Sequence, residues 1–143
     1  MNKKREAFSL LELLLVVALL LIFVYGGSWL IKFLNQQKVE MNIKKIVNDI
    51  QYAKSLAYKS GYSEVKFEKD CKPNIDCYEL TSKDFYKKVF LLKDVRLESE
   101  TFLRFKKDLL PQSAGHVVLQ TPYGKYKIIW DNISGNVRWE KEN

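Results

Sequence analysis

The sequence predicts an α+β fold: a long N-terminal helix, half membrane-spanning and half amphipathic, whose outer half packs on an antiparallel β-sheet head. Three observations predict it. An apolar run from Phe8 to Ile31 contains one acid, Glu12. Apolar residues then recur at helical spacing as far as Ala57. After Gly61, short alternating segments are separated by proline and glycine.

The apolar run comes first. No charged residue falls between Leu13 and Ile31. As a helix this stretch spans roughly 28 Å, close to the ~30 Å hydrocarbon core of a bilayer. Gly26, Gly27 and Ser28 soften its far end, and Tyr25 and Trp29 suit a membrane interface. Lys3, Lys4 and Arg5 precede the run and a single Lys32 follows it, so the positive-inside rule keeps the N-terminus cytoplasmic and the bulk of the chain outside. A cleaved secretory signal predicts a shorter run ending in a small-x-small site, and Ala18 is the only small residue before Gly26. A plain signal anchor accounts for length and orientation but not for Glu12. An acid inside a membrane helix costs about 2.5–3.5 kcal/mol near the centre, less near an end, and usually has a partner.

Next comes the amphipathic half. Val39, Ile43, Ile46, Val47, Ile50, Ala53 and Ala57 line one face, opposite Asn42, Lys44, Lys45, Asn48, Asp49 and Lys54. Proline is absent from Phe8 to Ser60, and Gly61 is a stop signal. One helix of about 50 residues and 75–80 Å is expected, with a hinge at Gly26-Gly27-Ser28 as the alternative. The strand candidates are Ser63–Glu68, Tyr78–Thr81, Val95–Glu98, Thr101–Lys106, His116–Thr121, Lys125–Trp130 and Asn136–Glu140. Asp131-Asn132-Ile133-Ser134-Gly135 supplies turn chemistry for a closing hairpin. The 143 residues leave room for one small domain outside the membrane. With 47% hydrophobic and 13% aromatic residues, the composition is not that of a disordered chain. The net charge of +7 fits nucleic acid, anionic lipid or an acidic partner without selecting among them.

The stretch KREAFSLLELLLVVALLLIF resembles the N-terminus of type IV prepilins and type II secretion pseudopilins. The resemblance implies a leader at residues 1–7, a transmembrane and filament-core helix at 8–34, an amphipathic half at 35–60 and a β-rich head at 61–143. It implies that a prepilin peptidase/methyltransferase cuts between Ala7 and Phe8 and N-methylates Phe8. Ala7 stands where glycine is usual. Glu12 occupies the family's acid position. Cleavage creates an α-amino group, cationic near neutral pH, with which Glu12 of an entering or neighbouring subunit can pair during assembly. IVNDIQYAKSLAYKSGYSEVKF, LRFKKDLLPQSAGHVVLQ and YKIIWDNISGNVRWEK resemble the helix-to-strand passage, central strands and closing hairpin of GspH/FimT-type minor pilins; a ComGD-like competence pseudopilin has a similar head. The implied partners are other pilin or pseudopilin subunits, an inner-membrane assembly platform and membrane lipid. The implied location is the bacterial inner membrane, then a pilus or pseudopilus. The implied role is filament assembly in protein secretion, the alternative being DNA uptake in natural competence.

Chemistry elsewhere is sparse. Cys71 and Cys77 enclose KPNID on the side of the membrane where disulfides persist, and a bridge there competes with two free thiols. Their spacing lacks companion ligands for a metal. His116, the one histidine, opens a strand candidate and reads as structural or surface-exposed. No Ser/His/Asp set, P-loop or dinucleotide glycine pattern is legible, so neither an enzyme nor a cofactor is expected. Lys125, Lys127 and Arg138 lie on the closing hairpin with Tyr123, Tyr126, Trp130 and Trp139 interleaved, a pattern that can hold DNA by phosphate contact and base stacking. Family members that bind DNA carry a second arginine where Trp139 and Glu140 stand here. A solvated basic face is the competing reading of these lysines.

Overall fold

A computed structural model describes residues 10–142. Helix α1 runs from Leu10 to Ser60, and eight strands follow among the described residues. The chain divides into two compact units, Met1–Gln37 and Lys38–Asn143.

In the first unit no residue from Leu10 to Gln37 is buried. The segment is helical throughout and long and apolar enough to cross a membrane. It passes through Gly26, Gly27 and Ser28 without a break, so the hinge is not formed. The Ser28 hydroxyl donates to the Tyr25 carbonyl at 2.9 Å, back-bonding within the helix. Trp29 stacks on Phe33, one turn on.

In the second unit, α1 buries one stripe: Val39, Ile43, Ile46, Val47, Ile50, Ala53 and Ala57. These are the seven residues that helical periodicity selects. Each fully buried isoleucine contributes roughly 1.5–3 kcal/mol through area removed from water. Ala53 and Ala57 are fully buried, and the buried Ser63 hydroxyl at the start of the first strand donates to the Ala53 carbonyl at 2.6 Å. The helix ends as expected at Gly61. Its φ of 87° is a conformation that suits glycine, and its N–H donates to the Ala57 carbonyl at 2.8 Å.

The strands are β1 (Tyr62–Lys72), β2 (Ile75–Ser82), β3 (Phe85–Phe90), β4 (Arg96–Leu97), β5 (Thr101–Lys106), β6 (Gly115–Thr121), β7 (Gly124–Trp130) and β8 (Val137–Glu142). They form two antiparallel four-stranded sheets rather than the single sheet expected, in the orders β3-β2-β1-β5 and β4-β6-β7-β8. Strand β3 was not among the sequence candidates. Val65, Phe67, Tyr78, Leu80, Leu103 and Phe105 from the first sheet share one core with Val117, Leu119, Tyr126, Ile128 and Trp130 from the second and with the helix stripe.

The closing hairpin forms where its turn residues predict. The Asp131 carboxylate accepts from the N–H groups of Ile133 and Ser134 and from the Ser134 hydroxyl, and these bonds hold its pKa below the ordinary aspartate value. Lys54 of α1 donates to the Gly135 carbonyl at 3.0 Å, tying this turn to the helix.

Candidate functional site

The residues singled out in the sequence fall into separate places. Ala7 and Phe8 lie outside the described residues. Glu12 is exposed in the first turn of α1. Around it the helix presents apolar side chains in all directions: Leu10 is 77% exposed, Phe23 75% and Tyr25 73%. A helix that is apolar on every side needs lipid or other apolar helices around it. That makes the segment the largest unsatisfied surface among the described residues.

Cys71 and Cys77 are joined by a disulfide that closes the β1–β2 hairpin. The β1 register shifts between Glu68 and Lys72, and Asp70 and Asn74 both adopt positive φ, at 50° and 59°. Aspartate and asparagine tolerate this conformation better than most residues. The Glu68 carboxylate comes within 4.8 Å of both sulfurs. A metal would need thiolates, and the disulfide removes them.

Beside Cys77 lies a residue that sequence reasoning missed. Asp76 is 1% exposed. One carboxylate oxygen accepts from the Asp70 N–H at 3.0 Å and the other from the Leu97 N–H at 2.7 Å. Arg96 Nη1 approaches to 3.4 Å, and Arg96 Nη2 reaches Asp70 at 3.1 Å. The Asp76 carbonyl accepts from the Leu91 N–H. One buried carboxylate thereby joins the β1 bulge and β2 to β4 of the other sheet.

A second polar cluster ties α1 to the first sheet. The Tyr78 hydroxyl donates to Asp49 Oδ2 at 2.5 Å, and Lys87 Nζ donates to both Asp49 oxygens at 2.9 Å. Burial, then the Asp49 hydrogen bond, pushes the Tyr78 phenol far above its ordinary pKa. This cluster is part of the core architecture.

Lys125, Lys127 and Arg138 share the outer face of the second sheet. They are interleaved with acids. Lys125 pairs with Glu98 at 3.0 Å and holds that carboxyl below its usual range. In the β7–β8 register Lys125 stands opposite Glu142 and Lys127 opposite Glu140. The aromatics expected among these cations face the core instead. Tyr126 and Trp130 are buried, and Trp139 packs against Tyr126 with ring centres 5.9 Å apart. Alternate residues of a strand face opposite sides, so Tyr126 cannot share a face with its neighbours Lys125 and Lys127. His116 is exposed on the outer face of β6, opposite Ile129.

No family model matches the chain, and no characterised protein or solved structure is significantly similar to it.

Proposed function

We propose that this chain is a minor pilin or pseudopilin subunit of a type IV pilus or type II secretion pseudopilus. The observation that carries the reading is the helix from Leu10 to Leu34, apolar and exposed on every side, continuing into a helix half that buries a single stripe. Such a segment can reside in lipid and later be buried among like helices, whereas a soluble subunit could do neither. The prepilin-like sequence KREAFSLLELLL supports the same reading and assigns the processing. The peptidase cuts between Ala7 and Phe8, Phe8 is N-methylated, and Glu12 pairs with the Phe8 amine of a neighbouring subunit. Paired charges in a low-dielectric bundle fix register more than they add stability. The Lys38–Asn143 head is held outside the cytoplasm, where the Cys71–Cys77 bridge is stable. The head carries no part of the chemistry in this reading; it presents surfaces to other subunits or cargo.

Intact-mass analysis of the membrane-extracted protein tests the processing. In cells with an active prepilin peptidase the chain is expected to begin at methylated Phe8, and a chain beginning at Met1 refutes the proposal. Glu12→Ala is expected to leave membrane insertion intact and to abolish filament incorporation. Normal incorporation of this variant would refute the register role.

A further inference from the structure

The half of α1 in the second unit has two stripes, and only one is covered. Lys38, Met41, Lys45, Asn48, Tyr52, Ser55 and Lys59 recur at alternating spacings of three and four, and all seven are exposed. This is the spacing by which one helix presents a seam to another. The lysines stand one and two heptads apart, about 10.5 and 21 Å along the axis, over a seam of about 32 Å. Met41 is 60% exposed and Tyr52 46%. The Tyr52 ring meets Phe85 of β3 edge-on at 5.5 Å, which fixes it as an apolar knob on the seam.

Each end of the seam borders a cleft. One, of about 290 Å³, is lined by Lys38, Met41, Asn42, Lys45 and Leu92. The other, of about 250 Å³, is lined by Leu56, Lys59, Ser60, Ser82, Asp84 and Phe85. Two nearby lysines off the seam are engaged within the fold: Lys87 holds Asp49 and Lys54 holds the Gly135 carbonyl. Among the described residues, Lys38, Lys45 and Lys59 form no ion pair.

We propose that this seam is a docking surface for an acidic amphipathic helix of another protein, with carboxylates at seven-residue spacing flanking an apolar strip. Charge complementarity selects this occupant. A second copy of the same seam would set lysines against lysines, and like charges across an interface suppress pairing. A phosphate backbone would match the lysines and leave Met41 and Tyr52 without an apolar partner. A flat anionic lipid surface would leave both clefts unfilled. The inference stands on the head alone and does not require the filament reading.

The test uses the full chain in uncharged detergent micelles and a labelled helical peptide of about 21 residues, with glutamates at heptad spacing beside an Ala/Leu strip. Fluorescence anisotropy is expected to show saturable binding. Reversing Lys38, Lys45 and Lys59 to Glu should weaken it at least about tenfold, and replacing the peptide's glutamates by lysines should restore it. Lys106→Glu with Lys107→Glu, off the seam, should leave affinity unchanged. An unchanged near-UV spectrum shows that the triple variant is folded; Met41→Ala with Tyr52→Ala, which alters no charge, should also weaken binding. The proposal is overturned if the wild type does not bind the peptide, if the triple reversal leaves affinity unchanged, or if the swapped peptide fails to recover it. It is equally overturned if the reversal abolishes only the binding of phosphatidylglycerol-containing micelles or of an oligonucleotide.

Discussion

Replacing Asp49 by Ala removes the acceptor of two groups at once. The Tyr78 hydroxyl, on a side chain only 1% exposed, loses its carboxylate partner. A buried hydroxyl left without a partner costs about 1–3 kcal/mol. Lys87 loses its ion pair, but its side chain is 37% exposed, and such a pair is worth at most about 1 kcal/mol. The expected loss is therefore about 2–3 kcal/mol, or roughly 10–20 °C in Tm for a head of this size. Tyr78→Phe removes the hydroxyl while Asp49 keeps Lys87, and should cost about 1 kcal/mol. Thermal unfolding of the full chain in detergent, followed by near-UV circular dichroism, reads both variants and the double variant. Their coupling should be about 1 kcal/mol. An Asp49→Ala loss below about 0.5 kcal/mol, or one no larger than that of Tyr78→Phe, would refute the assignment. The pH dependence has a definite sign. The folded state keeps the Tyr78 phenol neutral by burial and by its bond to Asp49, whereas an unfolded tyrosine ionises near pH 10. This contribution is complete below about pH 10 and is lost progressively as pH rises above it. Tyr78→Phe should flatten that alkaline limb.

Four further outcomes are expected. Cys71→Ser with Cys77→Ser should lower stability by about 2 kcal/mol, read as a fall in the denaturant midpoint, because the bridge closes only a short loop. Gly115→Ala should cost about 1–3 kcal/mol: a Cβ there would lie 2.8 Å from the ring of buried Trp130, and melting of this variant measures the clash. Asp76→Asn should cost about 3 kcal/mol, because an amide has one acceptor oxygen where the carboxylate serves two backbone N–H groups and faces Arg96. Amide exchange at Leu97 should speed up selectively in that variant. Oligonucleotide retention by the full chain should vanish at moderate salt, since acids interleave with Lys125, Lys127 and Arg138; retention at moderate salt that is lost in Arg138→Ala with Lys125→Ala would favour the DNA-uptake role instead.

What could be read from sequence follows the range of the interactions involved. The helix stripe from Val39 to Ala57 was legible because burial there repeats every three or four residues along one element. The turn at Asp131–Gly135 was legible because its hydrogen bonds close within five residues. Strand β3 escaped for the opposite reason. Phe85 and Val89 point one way and Tyr86 and Phe90 the other, with Lys87 and Lys88 between them, so no polar alternation exists to read. It forms an edge strand, half-buried on one face and exposed on the other. The burial of Asp76 depends on Leu97, twenty-one positions away, and within KPNID it looks like any loop acid. Division into two sheets depends on β1 pairing with β5, across some forty residues. On the closing hairpin the inward placement of the aromatics was legible in the sequence, since strand parity already sets Tyr126 against Lys125. The seam at Lys38–Lys59 is the harder case. Its spacing is visible in the sequence, but a solvated helix face and a docking face share that pattern. They separate only when the neighbours are known: here Lys54 and Lys87 are engaged within the fold, whereas the seam lysines and Met41 are exposed along one face of the helix. A face selected only for solubility has no need to combine three spaced cations with exposed apolar knobs.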